Sequence, residues 1–343
     1  MDNHLPKHIL VIRLSALGDV AMTVPVLRAL AQQYPGVKVT VLSRNFFKPM
    51  FDNIPNIAFH EADVKGKHKG VMGLYRLSKE VQELGIDAIA DLHNVLRSNI
   101  LKVFFKWKGI PVVQQDKGRA AKKALVAGKS FQQLKTTHER YADVFRSLGF
   151  DLDLAKIDSP SNKMLSERVK VVARDLERPW VGIAPFAAFE GKMYPLPLME
   201  EVIKTLDQKE ISVMLFGGGT SEINQLTTIA AKYEHAICVA GRLSFEEELS
   251  LIANLKVMVA MDSGNAHLAA MYNVSTITLW GVTHPYAGFY PFGQPMDNAL
   301  LANRAKFPQI PTSIYGNKMP QGYERAMETI LPAEIVKKIE QLL

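Results

Sequence analysis

The hexapeptide Asp262-Ser263-Gly264-Asn265-Ala266-His267 places a carboxylate, a hydroxyl, a glycine and an imidazole within six residues. The apolar run 255–261 before it reads as a buried strand, 268–272 suits a helix, and the β-branched run 274–280 reads as the next strand. The hexapeptide is then a strand-to-helix turn at the carboxyl end of a parallel sheet, where open α/β sheets hold ligands. Unpaired N–H groups and the dipole at a helix start attract an anion. Gly264 can take a positive φ and let a phosphate approach the backbone. The plainer alternative is that Asp262 and Ser263 only cap the helix.

A second carboxylate, Asp19, follows the apolar strand 9–14 and a short turn, and precedes a helical stretch over 20–34 that stops at Pro35-Gly36. Pro25 marks a kink in that helix. Asp19 is placed either to cap the helix or to face the ligand crevice, and one position serves both. Arg13, at the same strand end, is either a holder of that carboxylate, a ligand for acidic groups, or ordinary surface charge. Asp91-Leu92-His93-Asn94 leaves a strand over 86–92, with His93 as a ligand contact or a structural hydrogen-bonder. Lys192 lies in the loop after a strand over 180–185. Gly217-Gly218-Gly219 follows the strand 211–216 and leads to Glu222, which favours a helix N-terminus electrostatically. Those glycines permit close backbone approach, but they make neither the spaced dinucleotide fingerprint nor a phosphate-binding Walker loop.

Strands and helices alternate throughout, which predicts a doubly wound α/β architecture. Helices are expected over 71–84, 95–108, 138–149, 164–176 and 332–343, and Ser244 with Glu247 reads as a capping box. Residues 54–70 and those past Pro295 read as irregular. The helix over 95–108 is either a basic interfacial helix or a core-facing one with a solvated basic face. Residues 117–135 hold Lys117, Arg119, Lys122, Lys123, Lys129 and Lys135 without an acid, the pattern of a solvated loop or helix face. The Ser/Pro/Asn cluster over 157–162 is the expected linker, giving a domain over 1–160, a second over 161–325, and a closing helix over 326–343.

With 343 residues the chain can bury two cores. Its single cysteine, Cys238, rules out an intrachain disulfide and a cysteine-cluster metal site, and suits a reducing cytoplasmic setting. A net charge of +7 suits a phosphorylated substrate or an anionic surface, and nucleic-acid signatures are missing. There is no signal-peptide order at the start, and no apolar run nears the ~18 residues of a spanning helix.

Asp-Ser-Gly-x-x-His-Leu-Ala-Ala from Asp262, the following Thr-Leu-Trp-Gly-Val-Thr-His-Pro and the aromatic-Pro-Gly stretch to Pro295 resemble the nucleotide-sugar motif of glycosyltransferase family 9. That family contains the bacterial lipopolysaccharide heptosyltransferases. Arg-x-Ser-x-x-Gly-Asp-x-x-x-Thr-x-Pro from Arg13 is similar to the family's N-terminal motif, and Lys192 ahead of Tyr194-Pro195 continues the match. The resemblance implies a two-domain glycosyltransferase of the GT-B type: two Rossmann-like domains facing across a cleft, with the final helix returning to the first. It implies inverting transfer of a heptose from ADP-heptose to the anionic lipopolysaccharide inner core. Asp19 would be the catalytic base. Lys192, Glu222, Asp262, Ser263, Gly264, Asn265 and His267 would hold the donor, with Glu222 on the ribose. Arg13, Arg119, Lys122 and Lys123 would face the acceptor. Asp262 would take sugar hydroxyls or fix the turn's N–H groups, since two anions repel. No His/Cys cluster has metal-ligand spacing, so metal-free chemistry is expected, without cofactor, at a peripheral inner-membrane position. Two other classes stay open: a nucleotide-sugar epimerase or hydrolase of the same architecture, and a non-catalytic nucleotide-binding module.

Overall fold

The computed structural model describes residues 5–158, 160 and 163–343. The chain forms two compact units, Met1–Lys117 with Thr137–Asp158, and Gly118–Thr136 with Ser159–Leu343. The expected linker falls at this boundary, but its residues Ser159, Ser161 and Asn162 lie outside the described residues.

In the first unit β1 (His8–Ile12), β2 (Lys38–Ser43), β3 (Ile57–Glu61), β4 (Ala88–Asp91) and β5 (Val112–Gln114) form a parallel sheet in the order β3-β2-β1-β4-β5. The order reverses between β1 and β4, so their carboxyl ends open the crevice where such sheets bind ligands. The helix expected over 20–34 is two helices, α1 (Leu17–Ala21) and α2 (Thr23–Gln33). Proline has no N–H to give and clashes with the carbonyl four residues back; the break at Met22 puts Pro25 in the first turn of α2, where it is tolerated. Next come α3 (Gly70–Gln82) and α4 (Leu96–Lys106). Leu74, Leu77 and Val81 of α3 and Leu101 and Phe105 of α4 pack with Leu10, Ile12, Leu42 and Ile89 of the sheet. The edge strands β3 and β5 do not show in the sequence pattern, because β3 is half-exposed on both faces and β5 has three residues.

The basic run is a helix, α5 (Arg119–Val126), and it belongs to the second unit rather than to the first. Its Leu125, with Leu134, packs against Ala287 beside Tyr286, Phe289 and Ile314. The chain re-enters the first unit as α6 (Thr137–Arg146).

The main segment of the second unit opens with α7 (Glu167–Val172), shorter than expected and capped by Ser166. Its strands are β6 (Trp180–Ala184), β7 (Ser212–Leu215), β8 (Ala236–Cys238), β9 (Val257–Met261), β10 (Ser275–Trp280) and β11 (Ala299–Leu301). They form a parallel sheet in the order β11-β10-β9-β6-β7-β8, which reverses between β9 and β6. The remaining helices are α8 (Leu196–Asp207), α9 (Gly219–Ala230), α10 (Phe245–Ile252), α11 (Gly264–Ala270) and α12 (Pro332–Leu342). Ser244 and Glu247 make the reciprocal capping box at α10. In the closing helix α12, Ile335, Val336 and Ile339 are buried in the second unit's core, alongside α8.

Candidate active site

In the first unit the parallel register pairs Ile12 with Asp91, so the residues leaving β1 and β4 run side by side. Arg13 is therefore buried rather than surface charge. Its Nη1 donates to the Leu92 carbonyl at 2.7 Å, its Nη2 pairs with the Asp19 carboxylate, and the guanidinium lies 5.9 Å from the Tyr141 ring centroid. Asp19 is not the helix cap. The N-cap position is Ala16, and Asp19 sits inside the first turn of α1 with its side chain a third exposed. The result is a solvent-reachable carboxylate held by a fixed, buried cation.

His93 stands beside this pair. Leu14 N–H donates to its Nδ1 and its Nε2 faces Ser15 Oγ, both at 3.4 Å. Burial, and then the Arg13 charge, lower its pKa to about 4, so the ring is neutral at pH 7. An N–H donated to Nδ1 leaves the ring proton on Nε2, directed at Ser15. Beneath lies a network that the sequence pattern did not expose. The fully buried Asp91 accepts from the N–H groups of His93 (2.9 Å) and Asn94 (2.8 Å) through Oδ1, and pairs with Lys102 at 2.7 Å through Oδ2. Lys102 thus leaves the basic face of α4 on which its sequence neighbours put it. Gln115 donates to the same Leu92 carbonyl that holds Arg13.

In the second unit the β9 exit builds a separate cluster. Asp262 pairs with Lys192 at 2.9 Å and accepts from Thr283 Oγ1 at 3.0 Å. The described bonds of its carboxylate therefore go to these side chains and not to the N–H groups of the turn. Lys192 closes a 3-10 turn, Glu190–Lys192. That turn is tied to the β10 exit, since Val282 N–H donates to the Gly191 carbonyl at 2.9 Å. A Cβ on Gly191 would stand 2.5 Å from Val282 Cγ2, so this contact needs glycine. Ser263, extended at φ −147°, is the N-cap of α11, and Gly264 is the helix's first residue. The left-handed backbone expected of Gly264 is not required, because the extended Ser263 makes the turn. Ser263 Oγ is buried and has no hydrogen-bond partner among the described residues. Asn265 is half-buried, and His267, two residues further on, is buried. Glu222, in the first turn of α9, accepts from Gly218 N–H at 2.7 Å through one oxygen and so braces the three-glycine turn.

Of the basic residues, Lys122 is buried with its ammonium 4.0 Å over the Phe289 ring, while Arg119 and Lys123 are exposed on α5. His284, given no role by the sequence, is also buried here. Its Nδ1 accepts from Tyr286 N–H at 3.2 Å, and its ring meets Phe131, over which Arg304 stacks at 3.5 Å. Burial, then Arg304, lower its pKa to about 4. The first unit thus brings together Arg13 and Asp19; the second brings together Lys192, Asp262 and Ser263, and puts Glu222 at a separate strand exit. Chemically, one cluster can accept a proton and the other can hold a di-anion between an ammonium and a helix start.

Three comparisons bear on this geometry. The family described as glycosyltransferase family 9 (heptosyltransferase) matches residues 74–318. The chain is 25% identical to the lipooligosaccharide heptosyltransferase 2 of Haemophilus influenzae, over 98% of this chain and 99% of that protein. Among solved structures, a family 9 glycosyltransferase from Veillonella parvula superposes with a TM-score of 0.75 at 18% identity, covering 98% of this chain and 97% of the other. The Escherichia coli ADP-heptose lipopolysaccharide heptosyltransferase II superposes with a TM-score of 0.68 at 20% identity, covering 98% of each.

Proposed function

The chain belongs to glycosyltransferase family 9, and from that premise we propose that it transfers a heptose from ADP-heptose to the inner core of a lipopolysaccharide. The reaction breaks the bond between the anomeric carbon and the diphosphate, and ADP leaves with the electron pair. The acceptor oxygen bonds to the opposite face of that carbon, so the configuration inverts. The hydroxyl proton passes to Asp19, whose direction is set by Arg13. Lys192 and the first N–H groups of α11 meet the charge that grows on the departing diphosphate, and such preorganised donors act without reorganising. Asp262 orients Lys192, while Ser263, Asn265 and His267 contact the donor. Glu222 has one carboxylate oxygen committed to Gly218 and takes the ribose with the other. Arg119, Lys122 and Lys123 serve the anionic acceptor. The proposed chemistry runs without a metal ion, and the enzyme works as a peripheral protein at the inner face of the inner membrane. Among the described residues no helix is long and apolar enough to cross a membrane.

The observation that carries the donor assignment is the Lys192–Asp262–Thr283 cluster beside the partnerless Ser263 hydroxyl. It is a cation and a donor group assembled at the exit of β9, inside the matched segment. The test is to incubate the purified enzyme with ADP-heptose, with and without heptose-deficient lipopolysaccharide, and to follow ADP and product. ADP release that needs the acceptor, and survives EDTA, supports the reading. Release or epimerisation without acceptor would favour a hydrolase or an epimerase, and ADP binding without turnover would leave only a binding module. Loss of transfer in EDTA, restored by one metal, would sink the metal-free part alone.

A further inference from the structure

Large apolar side chains that stay in water are scattered over most of this surface, but six of them gather on two adjoining helices. Val71, Met72 and Tyr75 of α3, and Leu96, Val103 and Trp107 on or just past α4, are exposed, with Met72, Leu96 and Trp107 about three-quarters so. On α4 the spacing Leu96, Ile100, Val103, Trp107 lays one stripe along the helix, and on α3 Met72 and Tyr75 lie one turn apart. Tyr75 meets Phe104 at 5.3 Å between ring centroids, and Phe104 meets Trp107 at 5.7 Å, so the rings join the two helices into one face. The core is already served by other residues of the same helices, Leu74, Leu77, Val81, Leu101 and Phe105. The exposed stripe is therefore surplus to folding, and an apolar patch of this kind marks an interaction surface.

The charges around it identify the partner. Residues 95–108 contain no Asp or Glu. Arg97, Lys106 and Lys108 are exposed along the stripe, Arg76 and Lys79 flank it on α3, and the Lys79 ammonium lies 5.4 Å from the Tyr75 ring centroid. The nearest acid on α3, Glu80, is engaged with Lys67 at 2.8 Å and His68 at 3.2 Å, and Glu83 lies past the last turn. Apolar and aromatic side chains rimmed by cations match a bilayer interface with anionic headgroups, where rings sit at the headgroup level and lysines reach the phosphates. We propose that the α3–α4 face docks the enzyme on an anionic lipid bilayer, with Trp107 inserted among the headgroups. This rests on the peripheral-membrane part of the function above and on none of the roles given to Asp19 or Lys192.

The chain has three tryptophans, and Trp180 and Trp280 are buried, so Trp107 carries the solvent-sensitive emission. The full-length enzyme is titrated with vesicles of phosphatidylethanolamine and phosphatidylglycerol, and with vesicles of phosphatidylcholine alone, following emission and co-sedimentation. A blue shift and co-sedimentation are expected with the anionic vesicles, weakening as salt rises. Trp107→Ala should lower partitioning about tenfold, and Lys106→Glu with Lys108→Glu roughly fivefold or more per charge. ADP binding and transfer to a deacylated, water-soluble acceptor should stay unchanged in all these variants. Unshifted emission with the protein left in the supernatant would overturn the proposal, as would binding indifferent to both sets of changes. Self-association without lipid that Trp107→Ala abolishes would overturn it in favour of a second copy of the chain. Vesicle docking by an enzyme that transfers nothing would uphold this inference while removing the proposed activity.

Discussion

Asp19 and Lys192 each answer to one ion pair, and the two pairs invite different outcomes when broken. Asp19→Asn keeps shape and removes the proposed proton acceptor. Transfer should fall by roughly 10²–10⁴ while ADP affinity, measured by calorimetry, stays within twofold. Transfer that persisted, or ADP binding lost with it, would refute the base assignment. Lys192→Ala removes the cation proposed to meet the leaving group and leaves Asp262, a buried acid, without its partner. A loss of about 10²–10³ in kcat together with weaker ADP binding is expected, and a change in KM alone would argue for mere donor docking. His93 and His284 make a pH prediction. Both pKa values drop from 6.5 to about 4 in the folded chain, so the unfolded chain binds more protons between those values. Stability is then fully present above pH 6.5 and is lost as pH falls toward 4, with about 2 kcal/mol per histidine gone by pH 5. Urea denaturation at pH 7 and pH 5 should show that loss, and His93→Gln or His284→Asn should flatten it.

The turns that aim these side chains are short, and glycine decides two of them. A Cβ on Gly281 would crowd the Gly191 carbonyl and the Met327 side chain at once. Gly281→Ala should force the β10 exit away from the Lys192 turn, destabilise the second unit by about 1–3 kcal/mol, and weaken ADP binding. A variant as stable as the parent, with native ADP affinity, would show that the two turns are not coupled. Strand exits of this sort were legible in the sequence: the apolar runs into Arg13 and Asp262 have the lengths and flanks of buried parallel strands. Edge strands were not, since β3 and β11 are half-exposed and carry no clean alternation. Nor was the Asp91–Lys102 pair, because its members are eleven positions apart on a strand and a helix. A lysine between Leu101 and Val103 reads equally well as solvent-facing until the helix is docked. Lys192 stands out in the sequence only through its motif, since one lysine in a loop has no period to betray it.

At the scale of the whole molecule, charge and chain path matter more than any one contact. Arg119 and Lys123 are exposed on an arm that packs with the second unit. Arg119→Glu with Lys123→Glu should raise KM for the lipopolysaccharide acceptor several-fold, more at low salt than at high, with ADP affinity unchanged. An acceptor KM untouched at low salt would relegate both residues to solvation. The same arm makes the second unit discontinuous in the gene: Gly118–Thr136 is translated well before the rest of it. A recombination event at residue 158 would therefore hand on a downstream module with a hole where Leu125 and Leu134 meet Ala287. Swapping such modules between relatives, in evolution or by cloning, has to carry the upstream insert along.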